Sequence, residues 1–253
     1  AFIFPELSLV ISPLIVPILM VVMVLSFLKI DPAEVVLHFK KPLLSFYLLA
    51  VHLVVIPVAV FYLFQTVSQE LAIGFLLLAS VPSGVVSSAF SNIVGGNVAL
   101  NVVLTVLSHL LAPFTMVGLF YVLTATTLQL DLWSMFFTLL YIIVLPLLLS
   151  LIIKRKYPLQ VRHITPYSTP FTVICVFFLI YIAVGKEAHS FLVQEPLSVL
   201  WKILLLYGYF IFTHVVGYLL PIGKSKDIKI ASSVAQTYMN NSLAIVLAYK
   251  FFR

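Results

Sequence analysis

Charge is nearly absent from the interior of this chain's long apolar runs. Only 9% of its residues are Asp, Glu, Lys or Arg while 63% are hydrophobic, and the charged ones gather where the runs end. A soluble domain would carry roughly a quarter charged residues. A bilayer's hydrocarbon is about 30 Å thick and takes about 20 apolar helical residues to cross. Eight segments meet that need, at about 10–29, 42–65, 71–94, 98–124, 132–153, 167–185, 198–222 and 229–251. They are continuous rather than alternating, which selects helices over a membrane β-barrel. The expected fold is therefore an all-α polytopic membrane protein lying in a lipid bilayer.

The linkers carry turn and charge signals: Asp31-Pro32, Gly95-Gly96, Asp131, Lys154-Arg155-Lys156, Glu195-Pro196 and Gly223-Lys224. Numbered alternately, one side collects Lys29, Lys40, Lys41, Lys154, Arg155, Lys156, Arg162, Lys224, Lys226 and Lys229. The other holds Lys186, Lys250 and Arg253, with Lys202 at a span edge. The positive-inside rule makes the rich side cytoplasmic, so the Lys154-Arg155-Lys156 loop faces the cytoplasm of a cell (inner) membrane. The same rule accounts for the net charge of +6 without nucleic acid as a partner. Cys175 lies inside an apolar run and carries no disulfide signal. The first residues, Ala1 to Glu6, read as the tail of an earlier span, and the chain stops straight after an apolar run. A further helix is expected at each end.

Two spans are interrupted near their middles by small polar residues: Pro82-Ser83-Gly84-Val85-Val86-Ser87-Ser88 in the third, Gln236-Thr237-Tyr238-Met239-Asn240-Asn241-Ser242 in the eighth. Lipid offers unwound backbone no hydrogen-bond partners, so such runs line a cavity or touch a ligand. The broken spans lie five apart in order and enter from opposite sides, as two inverted five-helix units would place them. Matching breaks in two halves point to the binding site of a secondary transporter. Each second half-helix starts at its break and is expected to aim free N–H groups at the crossing, favouring an anion. Gly84, Val85, Val86, Ser87, Asn241 and Ser242 are the candidate substrate-binding residues. Capping helix ends or joining helices is the plainer role for the same Ser and Asn residues.

Glu6, Asp31, Glu34, Glu70, Asp131, Glu187, Glu195 and Asp227 all fall in loops or at span ends. At depth the ionisable groups are His52, His109 and His214, each either a functional group or a neutral imidazole bonded to a neighbouring carbonyl. No His-Glu-x-x-His, Gly-x-Ser-x-Gly or buried Asp pair is present, and a membrane enzyme is not expected.

Glu70-Leu71-Ala72-Ile73-Gly74 through Val81-Pro82-Ser83-Gly84, then Gly96-Asn97-Val98-Ala99-Leu100, then Thr105 to Pro113, resemble the fourth and fifth helices of the bile acid:sodium symporter family. Met239-Asn240-Asn241-Ser242-Leu243-Ala244 looks like its ninth-helix Met-Gln-Asn-Ser-Gly-Leu-Ala run. The resemblance, to a bacterial-type homologue, implies two inverted five-helix repeats in which discontinuous helices four and nine cross. It divides the chain into 1–65 (helices two and three), 66–128 (helices four and five), 129–185 (helices six and seven) and 186–253 (helices eight and nine). The family's first and last helices are then lacking here.

The resemblance also implies sodium ligands. Its first site falls on Ser87, Ser88, Asn101, Thr105 and Gln236, and its second on His52, Gln236, Thr237, Met239 and Asn240. The family has a Glu where Gln236 stands, and an anionic ligand supplies much of a cation's attraction at low dielectric. Sodium coupling is accordingly expected to be weakened or altered; no other cofactor is expected. The expected function is secondary active transport of an organic anion, of the bile acid or small carboxylate class, by alternating access. A non-transporting receptor or sensor of the same fold, or a proton-linked transporter using His52, are the alternatives. Gln236→Glu is expected to raise Na⁺ affinity, measured as a leftward shift of the Na⁺ titration of thermal unfolding.

Overall fold

The computed structural model describes residues 5–30, 42–84, 86–124, 129–188 and 193–252. The Asp31-Pro32 linker, Glu34, Lys40, Lys41, Val85 and Arg253 lie outside them. The helices are α1 (Pro5–Val10), α2 (Ile15–Phe27), α3 (Pro42–Ala50), α4 (Ile56–Gln65), α5 (Gln69–Ser80) and α6 (Ser87–Ile93). They continue as α7 (Val98–Thr124), α8 (Leu132–Lys156), α9 (Pro158–Lys186), α10 (Pro196–Leu219), α11 (Lys226–Thr237) and α12 (Asn241–Phe251).

Short polar side chains set several helix starts. Ser68 Oγ accepts the Leu71 N–H, Asn97 Oδ1 that of Leu100, and Asp131 Oδ1 that of Ser134. Each satisfies one of the orphan donors of a first turn. At the far end of α8, Lys154, Arg155 and Lys156 meet the negative pole of the helix.

Among the described residues, five stretches are long and apolar enough to cross a membrane: Pro42–Gln65, Val98–Thr124, Leu132–Lys156, Pro158–Lys186 and Pro196–Leu219. The remaining three expected spans are made of shorter pieces, among them Ser12–Phe27, Gln69–Ser80 and Asn241–Phe251. The first is interrupted at Ser12-Pro13, where a 3₁₀ turn joins α1 to α2. Helix α9 starts at Pro158, not near residue 167. Pro158 occupies the first turn, where its missing N–H costs nothing. At about 43 Å the helix outruns the hydrocarbon, so its polar first turns extend beyond the apolar layer.

The span of residues 42–65 contains one wider, π-helical turn over Val51–Val55, in which the Ile56 N–H reaches back to the Val51 carbonyl. Pro57 causes it: with no N–H, it leaves the Leu53 carbonyl without its usual partner, and the ladder slips by one residue. His52 sits on this turn.

Contacts between loops agree with the alternating topology. The Asn97 N–H donates to the Asp227 carbonyl at 2.9 Å and Asn97 Nδ2 to Asp227 Oδ2 at 3.0 Å, joining two loops of the lysine-rich end. These contacts and the hydrogen bond from Ser225 hold the Asp227 carboxyl below the usual carboxylate range, Ser225 contributing most. At that end too, the Lys154 ammonium donates to the Ile30 carbonyl. At the other end Lys186 Nζ donates to the Tyr249 carbonyl and Lys250 Nζ to Thr138 Oγ1.

Two packing groups result. Helix α2 lies against α8 and α9, burying Leu19, Met23, Leu139, Ile142, Ile143 and Leu179. Around the two breaks, α4 packs on α5, α10 on α11, and α7 on α6 and α11. Large apolar residues such as Val122, Trp133 and Ile211 stand exposed on the outside, as a lipid-facing surface requires. Helix α10 approaches α11 closely at Gly217, where an added Cβ would come 2.8 Å from Ser233 Cα and 3.0 Å from Gln236 Cβ. Gly217→Ala is expected to destabilise by about 1–3 kcal/mol. Gly208→Ala on the same helix, with open space around it, is expected not to; thermal unfolding in detergent compares them.

Candidate functional site

The two interrupted spans cross at their breaks, and the unwound backbones pair. Ser83 and Met239 face each other in an antiparallel bridge. The Gly84 N–H donates to the Tyr238 carbonyl at 2.6 Å and the Asn240 N–H to the Pro82 carbonyl at 2.8 Å. Ser83 then clasps both neighbours: its Oγ donates to the Ala235 carbonyl at 2.6 Å, and its N–H to Ser108 Oγ at 3.1 Å. Gly84 is required at this approach, since a Cβ there would lie 2.9 Å from the Tyr238 oxygen. On the flank, Phe90 stacks on Tyr238 with ring centroids 4.6 Å apart.

This pairing narrows the expectation of free N–H groups aimed at a solute, because amides at both breaks already have partners. The Gly84 and Asn240 amides satisfy the opposing strand, and the Leu243 N–H is capped by Asn240 Oδ1 at 3.1 Å. Backbone that cannot reach water takes the nearest carbonyl. Val86 and Asn241 are exposed and Ser88 and Ser242 half-buried, so these four mark the crossing's open side. The larger grooves, such as one of about 650 Å³ beside Phe114, Tyr121, Trp133 and Phe136, lie at the periphery.

Behind the crossing are three buried polar clusters. In the first, Ser87 Oγ donates to Asn101 Oδ1 at 2.7 Å and lies 3.1 Å from Thr105 Oγ1, and Asn101 Nδ2 donates to the Ala231 carbonyl at 3.1 Å. In the second, Gln236 Nε2 donates to the Leu48 carbonyl at 3.0 Å, which turns its oxygen toward His52 Nδ1 at 2.9 Å. The imidazole proton of His52 therefore sits on Nδ1 and its Nε2 presents a lone pair. That Nε2 and the hydroxyl of Thr237 are both buried without a hydrogen-bond partner. In the third, His109 Nδ1 donates to the Thr105 carbonyl at 2.8 Å, so its Nε2 accepts from Asn240 Nδ2 at 3.1 Å. Asn240 Nδ2 also meets Met23 Sδ at 3.3 Å on α2, and the Phe27 ring lies edge-on to His109.

The model of the sodium bile acid symporter family matches residues 16–194, well over half of the chain. The chain belongs to this family. It is 26% identical over 227 residues to the probable sodium/metabolite cotransporter BASS1, chloroplastic, of Arabidopsis thaliana, covering 89% of this chain and 56% of that protein. To the uncharacterized sodium-dependent transporter YocS of Bacillus subtilis it is 26% identical over 189 residues, 72% of this chain and 56% of that one. A probable BASS1 of rice is 27% identical over 230 residues, with 89% and 55% covered. The chain spans a little over half the length of the curated relatives it matches.

Against the ligand sets that the family resemblance implies, the structure brings Ser87, Asn101 and Thr105 together, and His52 with Gln236. It does not put Gln236 in hydrogen-bonding contact with the first group, because both ends of its amide are engaged elsewhere. Asn240 spends its oxygen on the α12 cap, and Met239 turns its sulfur toward the Tyr209 hydroxyl at 3.4 Å. Thr213 is buried beside His214, whose Nδ1 donates to Ser233 Oγ at 3.0 Å. The candidate ligand and substrate sets did not include Ser83, Ser108 or the Ala231 and Leu48 carbonyls, and His109 entered only as an ionisable group at depth. The one signal available was spacing: Asn101, Thr105 and His109 recur every four residues and share a face of α7. Gly84→Ala is expected to cost about 1–3 kcal/mol by forcing the paired strands apart. Gly74→Ala, in open space within α5, serves as its control in the same thermal unfolding measurement.

Proposed function

We propose that the protein is a secondary transporter of a small organic anion, driven by a coupled cation and working by alternating access. The observation that carries this reading is the antiparallel pairing of two unwound stretches, one from each broken span, at Ser83 and Met239. Irregular backbone persists inside a membrane only where protein or an aqueous cavity satisfies it, and in transporters such places hold substrate and ions. The names of the relatives, a probable sodium/metabolite cotransporter and an uncharacterized sodium-dependent transporter, support the same class.

The anion docks at the open side of the crossing. With the Gly84 and Asn240 amides engaged, the donors on that side are the Asn241 side-chain amide and the Ser242 hydroxyl. No Asp or Glu lies in either break to repel it. The cation docks where α11 ends. That C-terminus carries the negative pole of its helix, and the unpartnered Thr237 hydroxyl and the Gln236 carbonyl oxygen add neutral ligands. The imidazole nitrogen of His52 is a poorer partner for a hard alkali ion than an oxygen would be. We place the lysine-rich end, with Lys154-Arg155-Lys156, on the cytoplasmic side of an inner membrane.

The test is a thermal-shift screen of organic anions with Na⁺ present or replaced by choline, followed by uptake of the best anion into proteoliposomes. Saturable uptake that rises with an inward Na⁺ gradient and falls at least tenfold in Asn241→Ala is expected. Uptake driven equally well by a pH gradient in choline would transfer the coupling role from Na⁺ to a proton. No anion-dependent shift and no uptake would sink the transport reading.

A further inference from the structure

Two polar clusters flank the crossing, and their hydrogen bonds balance differently. In the second cluster, polar groups are left over: His52 Nε2 and the Thr237 hydroxyl are buried without a hydrogen-bond partner. In the first, the inventory closes. Asn101 Oδ1 accepts the Ser87 hydroxyl at 2.7 Å and the Thr105 hydroxyl at 3.5 Å, and Asn101 Nδ2 donates to the Ala231 carbonyl at 3.1 Å. Ser87 and Asn101 are 0% exposed and Thr105 1%, and none of the three has a buried polar atom without a partner. A buried cation needs several oxygen lone pairs converging on one point with no hydrogens between them. Here the amide hydrogens of Asn101 already occupy the space in front of the Ala231 carbonyl, and its oxygen collects the hydroxyl hydrogens. Gln236, turned to Leu48 and His52, adds no oxygen to this group.

We infer that Asn101 is a built-in substitute for a cation. Its amide ties α6, α7 and α11 together at the place where the family resemblance implies a first sodium ion. Coupling then runs through a single cation at the second cluster. The inference rests on the proposed cation-coupled reading and deepens it by naming the stoichiometry. It also explains how three helix segments meet around buried polar groups with no carboxylate among them. The amide group's dipole does locally what a charge would otherwise do, without the cost of desolvating one.

The experiment is a Na⁺ titration, balanced with choline, of both thermal unfolding and anion uptake, on the full chain and on Asn101 variants. For the unaltered protein a Hill coefficient of about 1 is expected. Asn101→Asp keeps the shape but exchanges the amide N–H₂ for a second oxygen, which faces the Ala231 carbonyl and calls for a cation. Measured at pH 8, it is expected to gain a Na⁺-dependent rise in melting temperature of about 5 °C at saturation. Its uptake is expected to acquire a Hill coefficient above 1. If Asn101→Asp does not assemble, Asn101→Ser, which removes the amide and leaves a hydroxyl, carries the same expectation at lower affinity. A Hill coefficient near 2 for the unaltered protein, or loss of a Na⁺-binding step in Asn101→Ala, would overturn the inference. Absence of any Na⁺ response in the unaltered protein would instead overturn sodium coupling. The closed cluster would then stand if Asn101→Asp gained a response, and fall if it did not.

Discussion

Hydrogen bonds between two pieces of unwound backbone, far from water, are the constraint on which the other features of this molecule depend. A helix that breaks inside hydrocarbon strands several N–H and C=O groups, each costing several kcal/mol if left alone. Here the two breaks satisfy each other: Gly84 donates to Tyr238, Asn240 donates to Pro82, and Ser83 fastens the pair to Ala235 and Ser108. The pairing dictates the close approach at Gly84 and brings the end of α11 against α3 and the π-helical turn that follows it. It sets the start of α6 against α7. The polar clusters are consequences of that crossing, because each contains a residue from α11 or from the breaks.

The electrostatic economy of the site follows from the absence of buried acids. With no buried carboxylate among the described residues, polar groups balance by matching donors to acceptors, and the match is complete around Asn101 but incomplete around His52 and Thr237. Gln236 occupies the position where the family carries a Glu. Its amide, unlike a carboxylate, must face one way, with nitrogen to the Leu48 carbonyl and oxygen to His52. That orientation removes it from the first cluster and defines the tautomer of the histidine. The proposed anion site is affected as well, since the amides engaged in the crossing are not open to a solute.

A third group of contacts links the crossing to the neighbouring packing unit. Asn240 reaches Met23, and His109 meets the edge of Phe27, so α2 touches the crossing through a sulfur and an aromatic ring. Soft contacts of this kind hold surfaces together without the directional penalty of breaking a buried ion pair. They suit an interface that moves in the proposed transport cycle.

Much of this was legible in one dimension. Apolar run length and charge placement specified a polytopic helical protein, the lysine asymmetry ordered the loops, and polar residues in the third and eighth spans located the breaks. Those signals are local, and the bilayer makes them strict because it permits so few structures. The motifs from Glu70 to Pro113 and from Met239 to Ala244 pointed to the family. What lay beyond reach was partner choice. Whether the Gly84 amide faces a solute or the Tyr238 carbonyl, whether Asn101 leaves room for an ion, and which nitrogen of His52 is bare all depend on groups 130 residues or more away in sequence or on the slipped turn before Pro57. Sequence alone determined where helices had to stop; only the tertiary structure decided what each stranded polar group binds, because a hydrogen bond is settled by proximity and angle between distant segments.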